Sequence, residues 1–286
     1  HVYAAEGAEL DSYLSLVNQY NSREDDPTHW KEEVYTGGDY LEKMLQEKKG
    51  NTVVLSGNNK NKTDYIHRSI ESGINVLADK PMVISKENFD LLIKTFDEAQ
   101  KKGLLLYDIM TERSEITNIL QKELAQLPGV FGELQNGSQP DPAIVMESVH
   151  YYFKQVSGKP LLRPVWFFDP EQQGEGIADV GTHLVDLVQW QCFPETVIDY
   201  EKDIKVLASS LWPTPLTLAQ FKNVTNLEQY PGYLMKYVSG GGLLETHGNG
   251  EINYTIRGKH AKVIARWDYQ AQEGGDTHYS LFRGTK

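Results

Sequence analysis

Short apolar runs alternate with amphipathic stretches along the first part of the chain. "HVYAAEG", "EEVYT", "NTVVLSG", "INVLADKP" and "LLLYDIM" read as strands, because their apolar residues cluster over a few positions between turn-forming residues. Between them, "LDSYLSLVNQYNSR", "DYLEKMLQEKKG", "NKTDYIHRSIESG" and "SKENFDLLIKTFDEAQKKG" carry apolar residues at helical spacing. Gly73 and Gly103 stand where helices stop, and Ser85 suits a helix N-cap. Strand and helix in alternation predict parallel strands joined by crossovers, a doubly wound α/β arrangement.

Beyond Tyr107 the grammar changes. "SEITNILQKELAQL" reads as a helix, whereas "VFGELQNG", "AIVMESVHYYFKQV" and "PVWFFD" look extended. "GIADVGTHLVDLVQW" reads as one amphipathic helix, with Ile177, Leu184, Leu187 and Val188 as its buried positions. "IKVLASSLW" is followed by a late cluster, "GLLETHGNG", "EINYTIRG", "AKVIARWDYQ" and "HYSLFRG", spaced like antiparallel strands, and His247-Gly248-Asn249-Gly250 is a hairpin-turn signal. The expectation is a partial dinucleotide-binding domain over 1–110 and an α+β domain with an open, mainly antiparallel sheet over 111–286.

Composition narrows the classes of partner. Of 286 residues 40% are hydrophobic and 24% charged, enough apolar side chain for a substantial core. The formal net charge of -12, without a basic run, argues against nucleic acid and anionic membrane surfaces as partners. No apolar run approaches the ~18 residues of a membrane span. Cys192 is the single cysteine, so no intrachain disulfide or thiolate zinc cluster can form. Between Trp190 and Phe193 it reads as a core residue. The opening "HVYAAEG" has neither an initiator Met nor a signal-peptide pattern, which leaves the compartment unread, cytoplasmic or exported.

Two motifs carry chemistry. One strand ends in Asp79-Lys80-Pro81, and about a hundred residues later Asp179, His183 and Asp186 fall at helical spacing. Together they resemble the glucose–fructose oxidoreductase/inositol dehydrogenase (Gfo/Idh/MocA) family, whose members show "G-x-x-V-x-x-E-K-P" and "G-G-G-x-x-x-D-x-G-x-H-x-x-D". Gly73, Val76, Lys80 and Pro81 match the first, with Asp79 in place of Glu. Gly174, Gly176, Asp179, Gly181, His183 and Asp186 match the second, with Glu175 in place of its middle Gly. "VLADKPM", "LLYDIMTER" and "WFFDPEQQGEGIADV" look closest to a bacterial branch of oxidoreductases within it.

The resemblance implies hydride transfer between NAD or NADP and a secondary hydroxyl of a sugar, polyol or related compound. Such a reaction needs a base for the hydroxyl proton, and a neutral imidazole suits that role. The resemblance assigns the base to His183, with Asp179 to stabilise the imidazolium and Lys80 to polarise the oxygen. It places Glu112 and Arg113 in the cleft between domains as secondary substrate candidates, and ordinary surface pairing accounts for them equally well. His150, with Lys154, and Asp186 complete the substrate candidates; Asp186 either orients the imidazole or solvates its helix. Core packing is the simpler reading of Trp166 and Trp190. Asp179, His183, Asp186 and Glu175 are acceptable metal ligands in type, but their spacing matches no known metal motif, and no metal is expected.

The fingerprint G-x-G-x-x-G does not occur. By resemblance "HVYAAEG" is the second strand of a dinucleotide-binding domain, with Glu6 at the adenosine ribose. The chain therefore reads as a fragment trimmed at both ends, lacking the first strand and its phosphate loop. Remaining cofactor contacts fall to Ser56, Gly57 and Asn58 after one strand and to Asp79, Lys80 and Pro81 after the next; as a plain alternative, "GNNKN" is a polar turn. An acidic residue at Glu6 favours NAD, because it repels a 2′-phosphate. In the family the open sheet carries an assembly interface, which would make a homo-oligomer, or a sugar site. Two other functions stay open: an NAD-dependent redox-neutral glycosidase of the same wider family, and a non-catalytic binding or assembly protein.

Overall fold

The computed structural model describes residues 1–156 and 158–286. The chain forms two compact units. The first takes His1–Ser56, Asn61–Ala78 and Glu87–Tyr107; the second takes Gly57–Lys60, Asp79–Lys86 and Asp108–Lys286.

In the first unit strands and helices alternate as β1 (Val2–Tyr3), α1 (Ala8–Asn21), β2 (Val34–Tyr35), α2 (Tyr40–Glu47), β3 (Thr52–Leu55), α3 (Lys62–Glu71), β4 (Asn75–Asp79), α4 (Lys86–Lys102) and β5 (Leu106–Ile109). This is the parallel, Rossmann-like grammar that the sequence predicts. β1 pairs with β2 in parallel, and β3 pairs with β4 in parallel with β5 on the other side of β4. These are two separate sheets, and among the described residues no strand pairs with the outer edge of β1 or of β3. The core follows from periodicity. Val76 and Ala78 alternate inward on β4, Ile66 and Ile70 lie one helical turn apart on α3, and Leu92, Thr95 and Ala99 line one face of α4.

The second unit contains α5 (Ile116–Ala125), β6 (Ile144–Phe153), β7 (Gln155–Val156), β8 (Lys159–Pro160), α6 (Pro170–Gln173), α7 (Gly176–Asp179), α8 (Gly181–Cys192), α9 (Tyr200–Asp203), β9 (Ile204–Trp212), α10 (Leu218–Thr225), β10 (Asn249–Ile256), β11 (Lys259–Gln270) and β12 (Thr277–Phe282). Its open sheet has the order β12-β6-β11-β10-β9. All neighbours are antiparallel except β6 and β11, which run parallel. Ile144, Met146, Val263, Ala265 and Ile256 of the sheet pack with Leu184, Leu187 and Val188 of α8 in one core. No helix among the described residues is long and apolar enough to cross a membrane.

Four local expectations are corrected. The hairpin turn is Arg257-Gly258, with φ of 49° and 79°, while Asn249 and Gly250 already lie in β10. Two consecutive positive φ values fit a two-residue turn that matches strand twist, and glycine tolerates one of them without strain. "PVWFFD" is not extended: Val165–Phe168 is a 3-10 turn after Pro164. "VFGELQNG" contributes only isolated bridges at Leu134 and Gly137. The amphipathic helix is two pieces, broken at Val180, where the His183 amide donates back three residues to the Val180 carbonyl at 3.1 Å.

Candidate active site

Lys80 lies in the loop after β4, where its own amide donates to Asp79 Oδ1 at 2.9 Å and the peptide to Pro81 is cis. Its ammonium reaches the end of α7, donating to Asp179 Oδ1 at 2.6 Å and to the Asp179 carbonyl at 3.0 Å. The two side chains are only 18% and 13% exposed, so the pair is shielded from the solvent screening that weakens surface ion pairs. α7 is held in place by a close backbone approach. A Cβ on Gly176 would lie 1.6 Å from the Gly248 carbonyl oxygen, so only glycine lets α7 pack there.

His183 stands on α8, just past the break. Its Nδ1 is buried and has no hydrogen-bond partner among the described residues. Burial, then the Lys80 ammonium, push its pKa below the ordinary imidazole value, while Glu112, Asp179 and Asp186 pull the other way. The imidazole is therefore held neutral, with Lys80 and Asp179 within electrostatic reach. Lys80, Asp179 and His183, predicted from two motifs a hundred residues apart, come together.

Asp186 does not orient this imidazole. Arg113 takes both its oxygens, with Nε 2.8 Å from Oδ2 and Nη2 on Oδ1. This fork ties the 3-10 turn Thr111–Ser114 to α8. Glu112, the neighbour of Arg113, acts electrostatically on His183 and on His278 of β12. His150 lies on β6 with its Nδ1 3.1 Å from Asp276 Oδ2 and its Nε2 2.9 Å from Ser148 Oγ.

The remaining candidates are more dispersed. Asn58 donates its side-chain amide to Gln172 Oε1 at 2.8 Å, which uses one of its two N–H donors. Ser56 and Gly57 are exposed, and Gly57 has a φ of 99°. Glu6 is exposed on the first unit and accepts from Thr36 Oγ1 at 3.1 Å.

A narrow cleft, with room for about 20 Å³, lies beside Asp179 and is lined also by Gly174, Gly176, Gly248, Tyr152 and Trp267. Arg163, unmarked by any sequence motif, stacks over Trp267 and Phe167 at 4.8 and 4.7 Å and donates to the Tyr151 and Tyr152 carbonyls. Asp276 was equally invisible, in a polar loop with no periodicity. Trp190 meets Lys122, whose ammonium sits 4.8 Å from its ring centroid. Burial pushes the Cys192 thiol pKa up, consistent with a packing role.

This fold agrees with what the chain is similar to. The family described as "Putative oxidoreductase C terminal domain" matches residues 120–286. The chain belongs to that family of oxidoreductases, of the Gfo/Idh/MocA type. The crystal structure of a protein from Parabacteroides merdae described as a "putative oxidoreductase" is 52% identical with a TM-score of 0.96; the match covers 99% of this chain and 65% of that one. The chain thus spans less than two thirds of that relative's length. Two more distant structures share the fold. The WlbA dehydrogenase of Bordetella pertussis, solved with NADH and UDP-GlcNAcA, is 16% identical with a TM-score of 0.54, over 89% of this chain and 58% of that one. Levoglucosan dehydrogenase, solved with NADH and levoglucosan, is 14% identical with a TM-score of 0.62, over 99% and 61%. No curated protein matches the chain.

Proposed function

We propose that the full-length protein is an NAD(P)-dependent oxidoreductase acting on a secondary hydroxyl of a sugar, polyol or related compound. The observation that carries this reading is the shielded Lys80–Asp179 pair within electrostatic reach of a neutral His183 imidazole whose buried Nδ1 has no partner among the described residues. The ligands of the two distant structures support a nicotinamide and a carbohydrate for this fold.

The residues present fit the redox end of such a cofactor. A buried imidazole nitrogen without a partner is a group awaiting a hydrogen bond, and the cation beside it can meet an oxygen that gains negative charge. Asp79, Lys80 and Pro81 would hold the nicotinamide end, Ser56, Gly57 and Asn58 the nearby ribose, and Glu6 the adenosine ribose, where its charge favours NAD over NADP. When bound, the nicotinamide supplies the acceptor for the carbinol hydride.

The chain's own residues handle the proton. His183 accepts the hydroxyl proton, because burial keeps its lone pair free at neutral pH. Lys80 donates a hydrogen bond to the same oxygen and stabilises the charge that develops there. Asp179 fixes the ammonium through its carboxylate and its carbonyl, and offsets the positive charge that His183 gains.

Absorbance at 340 nm, recorded for the full-length protein with NAD or NADP and a panel of sugars and polyols, tests the reading. Reduced nicotinamide should accumulate, and His183→Ala should slow its formation roughly 100- to 10,000-fold. Sugar release without net reduction would instead support the redox-neutral glycosidase, and unchanged turnover in His183→Ala would refute the base.

A further inference from the structure

Ser148, His150, Asp276 and Lys154 form a hydrogen-bonded chain that the proton transfer above leaves unused. Ser148 and His150 point from the same face of β6, two residues apart. The His150 ring stacks on Trp267 with centroids 4.9 Å apart and planes 28° apart, which fixes its orientation. Its Nε2 lies 2.9 Å from Ser148 Oγ and its Nδ1 3.1 Å from Asp276 Oδ2. Lys154 Nζ bonds the same Asp276 Oδ2, and Asp276 Oδ1 accepts the Tyr151 amide at 3.3 Å. The chain lies within electrostatic reach of Asp179, whose charge acts on both His150 and Arg163.

Proton accounting shows what is free. An ionised carboxylate only accepts, so His150 Nδ1 donates to Asp276 and Nε2 accepts from the Ser148 hydroxyl. Both ring nitrogens are then used, and His150 is a positioning residue rather than a second base. Asp276 keeps an accepting site on Oδ1, and Lys154 has donors to spare beyond the one on Asp276. The Asp276 and Lys154 side chains remain about a quarter exposed, at 27% and 26%. An acceptor and a donor side by side complement adjacent hydroxyls, each of which both gives and takes a hydrogen bond. Their charges cancel as a pair, so a carboxylate or phosphate would find no net attraction there.

We infer that Asp276 and Lys154 form a diol-binding subsite for an uncharged polyhydroxylated substrate, with His150 holding Asp276 in place. This rests on the reading of Lys80, Asp179 and His183 as the carbinol-oxidising centre, and names the substrate class of that site.

The test uses the full-length protein loaded with NADH, titrated by calorimetry with myo-inositol, D-glucose and D-glucuronate. At least one neutral probe should bind more tightly than glucuronate. Asp276→Asn and Lys154→Met should each weaken that binding roughly tenfold or more. His150→Phe, which keeps the ring against Trp267 but not the bond to Asp276, should weaken it as well, whereas His183→Ala should leave most of it intact. Circular dichroism of each variant separates lost binding from lost folding. Tighter binding of glucuronate, no binding by either neutral probe, or unchanged affinity in folded Asp276→Asn would overturn the subsite. Asp276-dependent binding without nicotinamide reduction would sink the redox reading alone; His183-dependent reduction with an unchanged KM in Asp276→Asn would sink the subsite alone.

Discussion

Lys80 Nζ lies 2.6 Å from Asp179 Oδ1, joining the loop after β4 to the end of α7 across 99 residues of sequence. The pair is shielded, so removing one member leaves the other's charge uncompensated. Lys80→Met is expected to destabilise the full-length protein by about 3 kcal/mol, and Asp179→Asn by a similar amount. The double variant should cost clearly less than the sum, because it strands no charge. Urea titrations of the four proteins check this; strictly additive losses would mean that the two groups do not couple.

Protonation of His183 gives a second expectation, and its sign is fixed by burial. The folded imidazole has a pKa below its ordinary 6.5, so the unfolded chain takes up a proton first as pH falls. The contribution is complete above about pH 6.5 and is lost as pH drops from there to the folded pKa. His150 and His278 are shifted in the same direction, also chiefly by burial. Their losses add to that of His183 in the same window. Melting curves from pH 8 to pH 5 should show this fall, shallower in His183→Asn. Activity should follow the base: kcat/KM should decline on an acid limb centred below about 6.5. A limb centred above that value counts against His183 as the titrating group.

Much of this was legible because it is periodic or local. The alternation on β4, the helical spacing of Ile66 and Ile70, and the residues around Lys80 and Asp179–His183 are patterns within a few positions. What was not legible depends on partners distant in sequence. The break at Val180 accompanies the close packing of Gly176 against Gly248, which no local propensity encodes. The fate of Asp186 is decided by Arg113, 73 residues away. Asp276 and Arg163 carry no motif, and acquire their places only when β6, β11 and β12 pair.

The Arg113–Asp186 fork supports a third expectation. Arg113 is 37% exposed, so water weakens the pair even though Asp186 is only 13% exposed. Arg113→Lys keeps the charge but loses the planar two-point fit, at a cost of about 1 kcal/mol. Because Asp186 makes no bond to His183, Asp186→Asn should lower kcat/KM far less than Asp179→Asn. Steady-state kinetics of the full-length variants decide the matter; comparable losses would restore Asp186 to an orienting role.

The packing of α7 yields the last expectation. A methyl group at Gly176 would meet the backbone oxygen of Gly248 at 1.6 Å, and backbone cannot rotate aside as a side chain can. At Gly181 the corresponding atom is Ile177 Cδ1 at 2.7 Å, the mobile end of a side chain. Gly176→Ala must therefore shift α7, and with it Asp179, whereas Gly181→Ala requires only a new Ile177 rotamer. Gly176→Ala is expected to cost about 3 kcal/mol and to reduce activity through the displaced Lys80–Asp179 pair. Gly181→Ala should cost about 1 kcal/mol or less, since alanine also favours the helix. Thermal melts paired with 340 nm assays distinguish the two; equal effects would mean that α7 is not held by its contact with Gly248.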